Sequence, residues 1–169
     1  MGDPRHLKKK FKKPKHPFQK ERIKEELEFL GKYGLRNKRE FWKSRTTLSN
    51  WRRLARKSRT LPKEKAVEAQ QTLIRKLNRL GIIGADAAFE DILLLTVDVV
   101  LKRRLQTMVY EKGLASTVHQ ARQYITHGHI QIGGKKIDAP SYIVKRDEEN
   151  FITYTPNSPL SIAKAKESS

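Results

Sequence analysis

Cysteine is absent from the 169 residues, which excludes a disulfide framework and any metal site built from thiolates. We therefore expect a protein of a reducing cytosol. The longest aliphatic run, residues 92–95, is far too short to span a membrane. The basic start of the chain also lacks the apolar stretch that a signal peptide requires. The sequence thus predicts neither secretion nor a membrane as partner.

Acidic residues are scarce as well. The chain has 18 Asp and Glu against 37 Lys and Arg, which gives a formal net charge of +19. Such an excess predicts a polyanionic partner, most simply a nucleic acid. The excess is uneven, because residues 1–60 hold 21 of the basic residues and only 6 of the acidic ones. Attraction to a phosphate backbone is therefore expected mainly from the N-terminal part.

The usual signatures of catalysis and cofactor binding are missing too. The five histidines have no metal-like spacing, and neither GxGxxG nor GxxxxGK[ST] occurs. The acidic residues 147–149 have no partner for acid–base chemistry, and we interpret them as a hairpin loop. We predict no catalytic residue, no metal and no cofactor.

The charge and hydrophobic patterns divide the chain into four parts and predict an α+β fold. Residues 1–18 form a basic extended arm, residues 19–95 a helical module, residues 96–155 a helix-helix-hairpin domain, and residues 156–169 a tail. Residues 8–18 of the arm combine lysines with two prolines, which prevent a helix. The arm is either a solvated tail or a segment that becomes ordered along RNA, with Phe11 and Phe18 as anchors. Its candidate phosphate contacts are Lys9, Lys10, Lys12 and Lys13.

The helical module has apolar residues three and four positions apart. This spacing predicts one helix from Gln19 whose end is bracketed by Gly31 and Gly34, a second through about Ser58 and a third after Pro62, with residues 89–95 as a buried hub. The second helix lacks the interspersed glutamates of an ordinary solvated face, so we favour phosphate binding there. Whether its last three arginines face RNA or a neighbouring protein stays open. Its candidate contacts are Arg36, Lys38, Arg39, Arg45, Arg52, Arg53 and Arg56.

The C-terminal domain is predicted to begin with one helix over residues 97–112 that ends at Gly113. A second helix over 116–127 follows, and alternating residues from His129 then predict a strand that turns at Gly133 and Gly134. Several basic side chains and three histidines lie along one edge of this unit, where shape-directed RNA binding would use them. These side chains are Arg104, Arg122, Lys135, Lys136, His119, His127 and His129.

Several motifs in this domain resemble a known RNA-binding domain. They are Leu101-Lys102-Arg103-Arg104-Leu105-Gln106, Gly113-Leu114-Ala115, Ala121-Arg122-Gln123, His127-Gly128-His129-Ile130, Gly134-Lys135 and Pro140-Ser141-Tyr142. They are similar to the domain named after small-ribosomal-subunit protein four. The upstream motifs Tyr33-Gly34-Leu35-Arg36-Asn37-Lys38-Arg39-Glu40 and Leu94-Leu95-Thr96-Val97 resemble that ribosomal protein family in its archaeal and eukaryotic form, whose eukaryotic members are numbered nine. The chain departs from some relatives in lacking N-terminal zinc-binding cysteines and in having Gln106 where many have Asp.

The resemblance implies a structural constituent of the small ribosomal subunit in the cytoplasm. Such proteins bind a junction in the 5′ domain of small-subunit rRNA and nucleate its assembly. They lie beside proteins three and five near the channel through which mRNA enters, and they contribute to translational accuracy. Carried over by position, the implied RNA contacts are Arg103, Arg104, Ser116, Thr117, His119, Gln120, Arg122, His127, His129, Lys135, Lys136, Ser141 and Tyr142.

Two other functions use the same kind of domain. An RNA-modifying enzyme would need a catalytic domain of well over a hundred residues, whereas the residues upstream of 96 are basic and helical with no nucleotide loop. A general nucleic-acid chaperone would bind any duplex equally, through charge alone.

Overall fold

The computed structural model describes residues 9–84, 87–156 and 158–159. Most of the predicted C-terminal tail and the first eight residues of the predicted arm lie outside the described residues. In the described part, helices dominate and three short strands form one sheet, so the predicted α+β fold is confirmed. The elements are α1 Lys20–Tyr33, α2 Lys38–Ser58, α3 Lys63–Arg79, α4 Asp91–Leu94, α5 Val97–Lys102, α6 Leu105–Glu111, α7 Val118–Thr126, β1 Ile130–Ile132, β2 Lys135–Lys136 and β3 Ile152–Tyr154.

Local signals place the first three helices where the sequence predicts them. Helix α1 ends at Gly34, whose φ of 57° is the left-handed conformation that glycine adopts without strain. Asn37 then caps α2, since its side-chain oxygen accepts a hydrogen bond from the Glu40 N–H at 3.2 Å. Pro62 directly precedes α3, as its fixed φ favours. Gly31 lies inside α1, so the helix ends at the second of the two glycines predicted to bracket its end.

The helical half has its core between α2 and α3. Leu48 and Trp51 of α2 pack with Leu77 of α3 and with Ile92. Ile92 is the only residue of the predicted hub at 89–95 that is buried, while Leu94 is 76% exposed. The short helix α5 also packs on α2. The helical half therefore extends through α5, beyond the predicted boundary at residue 96.

The helices are amphipathic. Even α2, the longest at 21 residues, alternates buried apolar positions with exposed charges. None of the helices in the described ranges is both long and apolar enough to cross a membrane.

The predicted single helix over 97–112 is wrong, because the chain breaks it into α5 and α6. Arg104 adopts an extended conformation with ψ of 142° and pairs as a β-bridge with Ile143. The next N–H, of Leu105, donates to the carbonyl oxygen of Tyr142 at 2.8 Å. The backbone of Arg104 and Leu105 thus has partners outside the helix, in a segment almost forty positions further along the chain. The spacing of apolar residues in a helical pattern does not reveal such a long-range pairing.

The C-terminal half packs α6 and α7 against the sheet. Its core includes Leu105, Val109, Ile125 and Ile130, and the sheet order is β2-β1-β3, all antiparallel. The predicted second helix and the β1–β2 hairpin are present. The acidic residues 147–149 do not form a hairpin loop, because β3 pairs with β1 and they lie in the turn and 3-10 helix that lead into β3.

Candidate nucleic-acid interface

The outward side of α2 carries a row of arginines. The inward side of the helix is fixed by Phe41, Leu48, Trp51 and Ala55, all buried, so the helical period directs the intervening charges to solvent. Five predicted phosphate contacts are exposed on α2 or in the turn before it, and within the described ranges none of them forms an ion pair. These five are Arg36, Arg39, Arg45, Arg53 and Arg56.

Two other predicted contacts of this set are held inside the protein. The Lys38 Nζ lies 3.4 Å from the carboxylate of Glu26, which is buried. The Arg52 guanidinium donates to the backbone carbonyl of Leu95, at the junction of α4 and α5. Both side chains therefore stabilise helix packing in this structure, and an RNA contact at either position stays a prediction.

The described part of the arm packs along α2. The Phe11 ring lies 6.0 Å from the Trp42 ring, and the Lys12 N–H donates to the Thr46 hydroxyl at 3.1 Å. Phe11 is thus anchored on protein, whereas Phe18 is 91% exposed. The arm places four lysines next to the arginines of α2. These are Lys9, Lys10, Lys12 and Lys13, all exposed.

A cavity of about 320 Å³ lies beside these contacts and is lined by residues of the arm, the start of α1 and α2. Its lining is strongly basic, with Lys12, Lys13, Lys15, Arg22 and Arg45. Such a lining attracts phosphate groups. We call the arm together with the exposed arginines of α2 the cationic face.

The start of α7 is closed by a reciprocal cap. The Thr117 hydroxyl accepts from the Gln120 N–H at 3.1 Å, and the Gln120 side-chain oxygen accepts from the Ser116 N–H at 2.7 Å. Ser116, Thr117 and His119 are exposed at this end, and Gln120 is half-buried with its amide donating to Tyr124. Four predicted RNA contacts are therefore grouped on one rigid turn.

The hairpin presents two lysines beside the end of α7. Lys135 and Lys136 are exposed on β2, and the Lys136 side chain passes directly over Gly128, where a Cβ would collide with it. His127 is exposed, whereas His129 is half-buried and its Nδ1 lies 3.0 Å from the Ser158 hydroxyl. We call the α7 start with Ser116 and the hairpin lysines the hairpin face.

The loop before the acidic turn supplies one exposed candidate. Ser141 is exposed, while the Tyr142 hydroxyl donates to Glu148 at 2.8 Å. Burial and the neighbouring Glu148 raise the pKa of Tyr142. Tyr142 is therefore tied into the protein, and Ser141 remains available to solvent.

Three predicted RNA contacts are arginines that the structure engages internally. Arg103 pairs with Glu149 at 2.9 Å and donates to the Val144 carbonyl at 3.0 Å. Arg104 is 3% exposed and pairs with Glu40 at 2.7 Å. Arg122 is half-buried and pairs with the same carboxylate at 2.7 Å. Arg104 is almost fully buried and all three guanidinium groups already have carboxylate partners, so an RNA contact at any of these positions stays a prediction.

The residue that sequence reasoning missed is Glu40. Burial raises the pKa of its carboxyl, but hydrogen bonds and charge from Arg122 and Arg104 outweigh burial, and the net pKa lies below its ordinary value. In return, burial lowers the pKa of the Arg104 guanidinium and Glu40 partly restores it. A signal was available in the sequence, because Glu40 is the only acidic residue between positions 29 and 63.

Comparison with known proteins agrees with this arrangement. The family described as "S4 domain" matches residues 103–150, which begin at the break between α5 and α6. The chain is 48% identical, over 99% of its length and 95% of the relative, to a protein from Hyperthermus butylicus named small ribosomal subunit protein uS4. Proteins of the same name from Methanothermobacter thermautotrophicus and Sulfolobus acidocaldarius are 49% and 50% identical, over 95% of this chain and 94% and 92% of theirs.

Proposed function

Because this chain belongs to the uS4 family of small ribosomal subunit proteins, we propose that it is a structural, non-catalytic component of that subunit in the cytoplasm. Its S4 domain is an RNA-binding module, and small-subunit rRNA is its partner. The protein acts by binding and holding RNA and needs no cofactor for this role.

The distribution of ion pairs is the observation that carries the proposal. In the described residues, buried and half-buried acids such as Glu26, Glu40 and Glu149 pair with cations at the seams between elements. The lysines of the arm and the arginines on the outer side of α2 keep their charge at the surface. Positive charge that the protein leaves unneutralised is the charge that displaces counterions from a phosphate backbone.

The cationic face and the hairpin face suit different parts of one task. The cationic face supplies attraction that does not depend on sequence. The hairpin face offers hydroxyl, imidazole and ammonium donors in a fixed geometry, which is how proteins read RNA shape through phosphates and 2′-hydroxyls. We infer that the two faces together bind a folded junction in the rRNA 5′ domain.

The proposal includes a finer role, which the family resemblance suggests and the two exposed faces support. A protein that fixes a junction early orders the helices that meet there, so the chain nucleates assembly of the 5′ domain. In the mature subunit it lies beside proteins three and five, close to the channel through which mRNA enters, and contributes there to accuracy of translation. The exposed candidates for RNA contact in this proposal are the cationic face, the hairpin face, His127 and Ser141.

A filter-binding titration tests the proposal directly. The full chain is titrated against the 5′ domain of small-subunit rRNA from Methanothermobacter thermautotrophicus and against a scrambled duplex of equal length, at four salt concentrations. We expect affinity for both to fall with salt and the preference for the folded domain to persist at the highest salt. Equal affinity for the two RNAs at every salt concentration would refute junction binding and favour a charge-only chaperone.

A reconstitution experiment separates the assembly role from binding. Chemical probing of the 5′ domain with and without the protein should show protections at the junction helices that appear before other proteins are added. Binding without any change in the probing pattern would leave the protein a component of the subunit but remove the proposed nucleating role.

A further inference from the structure

One carboxylate joins the two halves of the molecule. Glu40 lies in the first turn of α2, and its Oε2 is 2.7 Å from Arg104 Nη2 and 3.2 Å from Arg122 Nη1. Its Oε1 is 2.7 Å from Arg122 Nη2. Arg122 thus grips both oxygens in the bidentate geometry that gives such pairs their directional specificity. A residue of the helical half therefore holds the start of α6 and the middle of α7 at once.

Gln106 extends the connection. Its side-chain oxygen accepts from Arg122 at 3.2 Å, and its amide donates to the carbonyls of Gly34 and Val118, each at 2.9 Å. The side chain is fully buried. A Cβ at Gly34 would lie 2.8 Å from this amide, so the close approach depends on glycine. The turn before α2 and the first residue of α7 are thereby fixed to the same side chain.

Among the described residues, no carboxylate other than that of Glu40 pairs with Arg104 or Arg122. Glu40 is the only acid between residues 29 and 63, and it neutralises Arg104, which is buried, and Arg122, which is half-buried. Removing one partner from a buried ion pair leaves an uncompensated charge that the surrounding structure must move to solvate. The seam between the halves would therefore loosen around Glu40, while the hydrogen bonds from Arg146 to Asn78, Arg79 and Ile83 still join the halves elsewhere. The separate cores of α2–α3 and of α6–α7 with the sheet keep their apolar contacts.

The elements that Glu40 joins carry the two faces. Arg39 and Lys43, exposed on α2, flank Glu40 in the chain, and α7 begins with the capped turn of Ser116 and Thr117. We propose that Glu40 is a positioning residue: through Arg104, Arg122 and Gln106 it sets the spacing between the cationic face and the hairpin face, and so determines selectivity for a folded RNA junction. This inference rests on the proposed function. Fixing two binding surfaces in advance raises affinity for a ligand that spans both, without any new contact.

The test compares Glu40→Gln with Glu68→Gln. Glu68 is exposed on α3, and in the described ranges its side chain makes no ion pair or hydrogen bond, so each variant adds one unit to the net charge of +19. We expect Glu40→Gln to lower the preference for the 5′-domain rRNA over the scrambled duplex by about tenfold. The salt slope, which is the slope of the logarithm of the binding constant against the logarithm of the salt concentration, should equal that of Glu68→Gln. The reason is that no phosphate contact has been removed. Unchanged preference in Glu40→Gln would overturn the inference.

A spectroscopic readout reports the spacing itself. Because the chain has no cysteine, Asn50→Cys on α2 and Gln123→Cys on α7 give two unique exposed sites for nitroxide labels. Electron–electron double resonance should show a narrow distance distribution in the labelled parent and a broad one after Glu40→Gln. A distribution that stays narrow would overturn the inference, even if RNA affinity changes.

Arg122→Gln covers the case in which Glu40→Gln does not fold, since it leaves the Glu40 pair with Arg104 in place. Positioning predicts a broadened distance distribution and an unchanged salt slope. A narrow distribution with a slope reduced by about one unit would show that Arg122 contacts phosphate directly and would overturn the inference.

If the parent itself shows no RNA preference, the proposed function fails, and the label distances still decide whether Glu40 fixes the spacing. If the parent and Glu68→Gln prefer the junction and Glu40→Gln does so equally, only the inference fails.

Discussion

Replacing Glu26 with alanine should destabilise the helical half, because its buried carboxylate has partners on two helices. The Glu26 side chain lies between α1 and α2, with the residue only 1% exposed. It accepts a hydrogen bond from the Trp42 indole N–H at 2.9 Å and pairs with Arg22 at 3.3 Å and Lys38 at 3.4 Å. One carboxylate therefore accepts one hydrogen bond and pairs with two cations, and these partners lie on two helices.

The magnitude follows from what each partner does after the carboxylate is gone. Loss of one partner of a fully buried ion pair costs about 3–5 kcal/mol. The Lys38 side chain is 32% exposed and can reach water, and Arg22 keeps its bond to the Pro17 carbonyl, so both cations are partly relieved. The indole N–H of Trp42, a half-buried residue, loses its acceptor at a cost of about 1–3 kcal/mol. We expect Glu26→Ala to lower the free energy of unfolding by about 2–3 kcal/mol.

Urea unfolding followed by far-ultraviolet circular dichroism measures this difference, with Glu25→Ala as the matched control. Glu25 is the neighbouring residue on α1 and is exposed, so the same substitution changes helix propensity equally without touching the buried site. Tryptophan fluorescence adds a local signal, since Trp42 donates to the carboxylate. If the two variants differ by less than about 0.5 kcal/mol, the reasoning about the buried carboxylate is wrong.

Three further predictions concern charge and backbone. Changing the four lysines within residues 9–13 to glutamine should reduce the salt slope of RNA binding by up to about four units, against little change for four basic residues of α3. Because the Glu40 pKa is lowered in the folded state, its stabilisation is complete above its ordinary value of 4.5 and is lost as the pH falls through the lowered value. Urea unfolding at a series of acidic pH values should thus show a steeper loss for the parent than for Glu40→Gln; parallel curves would contradict this. Gly81→Ala should cost about 1 kcal/mol more than Gly113→Ala, because both have φ near 67° but only Gly81 lies against the Arg103 guanidinium; equal melting temperatures would contradict the contact.

The parts of the fold that the sequence predicts correctly depend on signals within a few residues. Gly34 ends α1, Pro62 precedes α3, and the pair Gly133 and Gly134 turns the hairpin with positive φ at both positions. Each acts through its own backbone preference, so the printed sequence is enough to place it. The comparisons confirm the family resemblance, and the observed helices and sheet confirm the fold class.

The errors come from contacts between distant residues. The break at Arg104 depends on its bridge to Ile143, and the internal engagement of Arg104 and Arg122 depends on Glu40. A basic residue in a helical pattern looks the same in the sequence whether it faces RNA or a buried carboxylate. Only the solitary acid in a basic stretch hinted that some of these charges are neutralised internally.

The span of the contacts at Glu40 has a consequence for the order of folding. The partners of Glu40 are 64 and 82 positions away in the chain, whereas α6 and α7 or α2 and α3 pack as neighbours. Contacts that close long loops form late, because chain entropy is lost before they contribute stability. During synthesis the N-terminal segment also emerges first. The arm and α2 therefore become able to attract RNA before the seam has closed, so that general attraction precedes selective recognition within the lifetime of a single nascent chain.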